Sequence, residues 1–216
     1  MKRWLGLFLL LIGLAIAIVN FLEWNAGQTA AQDVTAEEVQ DFKKIEQAIG
    51  KEMIFTPSPK EGIPSPLLTA DIDQEAGAQM ATLLIPKIEQ KYSVYWGTDS
   101  STLNQGVGMY VSDLTTVPGG YGHTVLSGHR DTVFVRLGEL KKTDLLHVEY
   151  DDKIYVYEIT DIWITDEDDR TVIVEKDESV LTLTTCYPFD FIGYAPDRYI
   201  VQAKLISAQN NENLPD

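Results

Sequence analysis

Cys186, His129 and Arg198 are the residues of this chain whose types and surroundings fit one chemistry. Cys186, the only cysteine, closes the run S-V-L-T-L-T-T-C at 179–186, and Arg198 opens R-Y-I-V-Q-A-K-L at 198–205, with a loop containing proline and glycine between them. A period of two puts Val180, Thr182, Thr184 and Cys186 on one face of the first run and Leu181, Leu183 and Thr185 on the other. If the runs pair as antiparallel neighbours, Cys186 and Arg198 stand opposite each other across the loop. His129 lies in H-T-V-L-S-G-H-R-D at 123–131, where the strand pattern ends at Ser127 and Gly128, which puts this histidine on a rim. His123 begins that strand and His147 lies in another apolar run, so both read as packed or surface histidines. A thiol attacks a carbonyl as the thiolate, a form that a neighbouring imidazole and a cation both favour. The imidazole can then protonate a leaving amine, and a guanidinium can meet the charge that develops on oxygen at any physiological pH. Arg130, beside His129, is a second candidate for that cation, and the strand geometry favours Arg198.

The elements that must position these residues are short strands. A-T-L-L-I-P-K, Y-S-V-Y-W, H-T-V-L-S-G, L-L-H-V-E-Y and K-I-Y-V-Y-E-I-T-D-I-W-I are β-branched and aromatic, and Gly, Pro, Asp or Ser separates them. Many strands and little helix predict an all-β barrel or sandwich over residues 80–207, with helical turns at 99–105 and 134–140 and a polar tail at 208–216. The acidic stretches 166–169 and 175–178 read as solvated turns, because their spacing does not match a calcium-binding helix-loop-helix.

The N-terminal part reads differently. Lys2 and Arg3 precede an almost wholly apolar stretch at 4–22, near the roughly 20 residues that span hydrocarbon as a helix. Residues 1–22 are therefore expected to be an uncleaved signal anchor, with the N-terminus cytoplasmic and the rest extracytoplasmic. Within 23–79, T-A-E-E from Thr35 forms a capping box, and Val39, Phe42, Ile45 and Ile49 recur at helical spacing, which predicts an amphipathic helix. Four prolines at 57, 59, 64 and 66 then predict a tether. The chain has 216 residues, 44% of them hydrophobic, enough for one domain with a sizeable core. A formal charge of −16 argues against nucleic-acid binding, and one cysteine excludes an internal disulfide framework and a four-thiolate metal site.

T-L-T-T-C at 182–186 is similar to the T-L-x-T-C motif of sortases, the membrane-anchored cysteine transpeptidases of Gram-positive bacteria. S-G-H-R-D resembles their catalytic histidine region and R-Y-I-V their arginine strand, in the same order and behind the same kind of anchor. The likeness covers about residues 80–205 and looks closest to class D, since no long insert separates Cys186 from Arg198 and no large apolar segment follows Leu205. It implies a closed eight-stranded β-barrel with short helices. No cofactor is expected, and because calcium use varies in that family and the residues here establish no site, no metal is assigned. The chain's partners would be secreted proteins bearing a C-terminal sorting signal similar to Leu-Pro-x-Thr-Gly or Leu-Pro-x-Thr-Ala, and an amino group of the peptidoglycan precursor. Catalysis would fall to His129, Cys186 and Arg198, with Thr184, Thr185 and Tyr187 binding substrate and the loop 187–197 shaping its groove. Two other readings are an extracytoplasmic Cys-His peptidase or amidase, which would need no Arg198, and a membrane-tethered binding protein with an inert cysteine.

Overall fold

Period-two alternation becomes strand through most of the C-terminal two thirds of the chain. The computed structural model describes residues 2–28, 31–35, 40, 44, 67–190 and 193–210. Helix α1 (Lys2–Gln28) is followed by β1 (Ala31–Asp33), β2 (Gln79–Ile85), β3 (Gln90–Trp96), the short helix α2 (Ser100–Leu103), β4 (Val107–Met109) and β5 (His123–Ser127). Then come β6 (Leu145–Tyr150), β7 (Lys153–Asp166), β8 (Val180–Tyr187) and β9 (Asp197–Asn210). Asp99 caps α2 by accepting from the amides of Ser101 and Thr102. The turn between β6 and β7 consists of Asp151 and Asp152, both at positive φ. That conformation matches the twist of the flanking strands and is one aspartate tolerates.

The sheet closes on itself. β3 pairs antiparallel with β2 on one side, and on the other with β4, in parallel, along 94–96. From β3 the circuit runs β2, β6, β7, β9, β8, β5 and β4, an eight-stranded barrel with no open edge. β1 is a ninth strand, laid antiparallel on the first half of β3, at residues 90–92. β5 and β8 run parallel, so their C-terminal ends emerge at the same end of the barrel.

One set of alternating side chains fills the interior. Leu83, Ile85, Val94, Leu126, Leu181, Leu183, Val201, Ala203 and Leu205 belong to one buried cluster with Met109, Phe134 and Leu137. Burying each large aliphatic or aromatic side chain of this set stabilises the fold by roughly 1.5–3 kcal/mol. The other set on β8, Val180 to Cys186 by twos, consequently faces outward. Segment 167–179 lies over part of that outer face: His123 of β5 bonds the Val174 carbonyl, and Lys204 of β9 pairs with Glu178.

The packed domain is longer at both ends than the sequence pattern suggested. Leu68 bridges Thr116, and the Thr69 hydroxyl, fully buried, meets that of Thr115 at 2.7 Å, so the barrel's contacts begin well ahead of residue 80. At the other end Ala208, Gln209 and Asn210 pair with Tyr155, Ile154 and Lys153, so strand β9 takes up the start of the expected tail. Neither extension has an alternating apolar pattern, and backbone pairing needs none. The capping-box helix and the proline-rich tether fall almost wholly outside the described residues. In α1 the large apolar side chains from Leu7 to Phe21 are exposed. Among the described residues no helix is long and apolar enough to cross a membrane.

Candidate active site

The site begins with the register of β8 and β9. Cys186 is the direct partner of Arg198, Thr184 of Ile200 and Thr182 of Gln202, and opposite residues of an antiparallel pair project to the same face. Cys186 and Arg198 are both half-buried, at the end of the strands where the loop departs.

His129 reaches the same level from the other side of β8. The parallel register pairs Ser127 with Thr184, and two bonds carry it onward: the Gly128 amide donates to the Thr184 carbonyl at 3.2 Å, and the Thr185 hydroxyl donates to the Gly128 carbonyl at 2.7 Å. His129 lies two residues beyond Ser127, past the end of β5, and Cys186 two beyond Thr184, so the two residues stand at the same end of the barrel, with Cys186 on its outer face. The backbone there is held closely. The His129 carbonyl accepts from the amides of Val133 and Phe134, and a Cβ at Gly128 would come within 2.8 Å of the Phe134 ring. Only glycine lets the strand end pass so near that ring.

Arg198 is tied on two sides. Its Nη2 donates to Glu167 Oε2 at 3.0 Å, and its Nη1 to the carbonyls of Ala195, at 3.1 Å, and Asp197, at 3.0 Å. Among the described residues three of the five guanidinium N–H groups are then engaged, and two, on Nε and Nη2, are left to offer to a ligand. Arg130, the other candidate cation, spends its guanidinium elsewhere: Nη1 donates to the Pro188 carbonyl at 2.8 Å and Nη2 to the Gly193 carbonyl at 2.7 Å.

The three residues expected beside a substrate are not equivalent. Thr184 shares the outer face with Cys186. Thr185 is buried on the inner face, its hydroxyl committed to Gly128, so it braces the segment that carries His129. Tyr187 leaves β8 on the side away from Cys186 and stacks on Tyr199 at 6.1 Å, with Phe189 edge-on to both. Among the described residues no group of three or more His, Cys, Asp or Glu is arranged to hold a metal ion.

Beneath the rim a buried polar chain crosses the same outer face. The Val174 carbonyl can only accept, so Nδ1 of His123 carries the proton, at 2.8 Å, while Nε2 accepts from the Thr182 hydroxyl at 2.7 Å. Gln202 donates in turn to Thr182 at 3.3 Å. Burial pushes the His123 ring down to about 4, which keeps it neutral. Glu167 falls in the stretch 166–169, whose composition predicts a solvated acidic turn, and the fold instead pairs it with Arg198. The signal that could have found it is the pairing of β7 with β9, which sets Asp166 opposite Asp197 and so delivers the next residue to Arg198.

Comparison with known proteins agrees with this geometry. The sortase domain model matches residues 83–206. Sortase D of Bacillus subtilis (strain 168) is 35% identical over 208 residues, covering 96% of this chain and 100% of that one. The catalytic domain of B. anthracis SrtD is 57% identical with a TM-score of 0.57, covering 70% of this chain and 99% of its own. Sortase E1 from Streptomyces coelicolor, solved with a tripeptide in the active site, is 28% identical with a TM-score of 0.58, covering 65% of this chain and 96% of that one. An eight-stranded barrel that sets its one cysteine opposite an arginine, matched over most of its length by these proteins, belongs to the sortase family of cysteine transpeptidases.

Proposed function

We propose that this chain cleaves a sorting signal similar to Leu-Pro-x-Thr-Gly or Leu-Pro-x-Thr-Ala after the threonine, and joins the threonine carbonyl to an amino group of a cell-wall precursor. The observation that carries the reading is the register that faces Cys186 with Arg198 while the parallel neighbour β5 leads His129 to the same level. His129 takes the thiol proton as Cys186 sulfur attacks the threonine carbonyl carbon. The free N–H groups of Arg198 meet the resulting oxyanion. The C–N bond then breaks, His129 returns the proton to the leaving amine, and a thioester remains. The acceptor amine attacks the thioester, its proton passes through His129, and the thiolate leaves. Helix α1 is the membrane anchor in this reading. Its sequence carries about the length that hydrocarbon requires, and Lys2 and Arg3 keep its start on the cytoplasmic side, with the barrel outside.

The test mixes the full chain in detergent with Leu-Pro-Asn-Thr-Gly and Leu-Pro-Asn-Thr-Ala peptides and an amine acceptor, and reads products by mass spectrometry against the Cys186→Ala protein. A product joined to the amine through threonine, absent from the control, is the expected result and shows which final residue is accepted. Hydrolysis alone would favour a Cys-His peptidase, and no cleavage of any motif would favour a binding protein.

A further inference from the structure

The wall of the barrel opposite the catalytic one is sealed by more than the barrel strands themselves provide. In the eight-strand circuit β6 lies four strands from β5 in either direction, so the wall centred on β6 faces away from the strand that leads to His129. Leu84, His147 and Val156 stand in one register row across β2, β6 and β7. Leu84 alternates with Leu83 and Ile85 of the interior cluster, so the row points outward. Outward side chains of a barrel meet water unless something covers them. Leu84 is nevertheless 2% exposed, and His147 and Val156 are 0% exposed. The described side chains packed against this outer cluster, Val34, Leu145 and Ile206, are themselves only partly buried, too few to roof the wall.

The path of the chain identifies the cover. Val34 follows β1 directly, packs on the outer cluster, and donates its amide to the Glu89 carbonyl, beside the start of β3 at the Cys186 end of the barrel. The chain rejoins the barrel at Leu68, whose partner Thr116 is bonded to His123 at the opposite end. The residues between must cross the height of the barrel on its outside, starting from the far wall. Within them Val39, Phe42, Ile45 and Ile49 recur at helical spacing, and such an apolar stripe needs a surface to bury it. A helix over 36–49 would be about 21 Å long, close to the roughly 20 Å of a six-residue strand. We infer that segment 36–49 docks through this stripe on the outer cluster of Leu84, Ile154 and Val156. With α1 as the anchor proposed above, the barrel is held to its anchor by the far wall, and the outer face beside Cys186 stays clear of its own linker.

The experiment uses the full chain in detergent carrying Cys186→Ala and Val156→Cys, which leaves one thiol, on the far wall. Labelling by a maleimide should be slow, and adding Phe42→Asp should speed it at least about tenfold. Hydrogen exchange read by mass spectrometry should show amides 36–49 protected in the wild type, with that protection lost in Leu84→Ala and in Phe42→Asp. Leu146→Ala, the same truncation made on the inner face of β6, should lower the thermal midpoint and change exchange at 36–49 by less than about twofold. Phe42 belongs to no barrel strand, so Phe42→Asp tests the docking even where a wall variant fails to fold. Labelling as slow with Phe42→Asp as without it, or unprotected amides at 36–49 in the wild type, would overturn the inference. Slow labelling that quickens on dilution would also overturn it, and would assign the cover to a second copy of the chain. None of these readouts needs turnover, so a chain that cleaves no peptide removes the transpeptidase reading and leaves the docking standing.

Discussion

His123 opens β5 and His129 follows just past its end, and the fold treats them in opposite ways. His123 is sealed beneath segment 167–179, with both ring nitrogens bonded and the ring pushed down to about 4 by burial. His129 stands past the strand end, half-exposed, at the level of Cys186. What separates the structural imidazole from the available one is cover: segment 167–179 lies over the first, and the second is only half-buried at the rim. Substituting each is the sharpest way to break the comparison. His129→Asn should lower kcat/KM by about 10²–10⁴ and leave the thermal midpoint unchanged. His123→Ala should do the reverse, costing about 1–3 kcal/mol of stability through the polar groups it strands, with the kcat of the folded fraction within a few-fold of wild type. Thermal melts and peptide kinetics on both variants check this pair. A His123→Ala enzyme that is stable and inactive would invert the assignment.

A second contrast lies in the arginines. Among the described residues Arg130 is held by carbonyls alone, whereas Arg198 also has the Glu167 carboxylate against one arm. Removing Arg198 should therefore remove charge from the thiol and the oxyanion together. Arg198→Ala is expected to reduce kcat about 10²–10³-fold, a loss far larger than its effect on folding. Glu167→Gln, which keeps a hydrogen-bond acceptor and removes the carboxylate, should change kcat by less than about tenfold, and Glu167→Ala by more than Glu167→Gln. If the alanine and glutamine variants behave alike, the carboxylate is not what holds the guanidinium, and the carbonyls of Ala195 and Asp197 suffice.

The parts of this site that were legible in the sequence are those governed by periodicity. Alternation alone assigned Cys186 and Thr184 to one face and Leu181 and Leu183 to the other, and the turn-bounded runs placed Arg198 opposite Cys186. The barrel's strand number came from the resemblance, since short runs do not say whether a sheet closes or which of its strands lie parallel. Glu167 and Arg130 were invisible as partners for a physical reason. The carboxylate comes from a loop 31 residues before Arg198, and the acceptors of Arg130 are backbone carbonyls, which every residue carries. The same limit hid strand β1, whose A-Q-D sequence has no apolar face and is held to β3 by its backbone.

A gradual effect of pH tests whether the sealed histidines are held neutral in the fold. His147, on β6, is as deeply buried as His123, and burial pushes both rings down to about 4. In the unfolded chain a histidine titrates near 6.5. Between those values the unfolded state binds more protons than the folded one, so stability rises with pH across the window. The contribution is complete above about pH 6.5 and is lost as pH falls toward 4, on the order of 3 kcal/mol for each ring at most. Urea midpoints measured from pH 7.5 down to 4.5 should therefore decline below pH 6.5. His123→Gln keeps a donor for Val174 and an acceptor for Thr182 and has no titrating ring, so its midpoint should decline about half as steeply. A wild-type midpoint that stays flat through this range would mean that neither ring is held neutral by its surroundings, and that segment 167–179 opens readily enough to let His123 meet water.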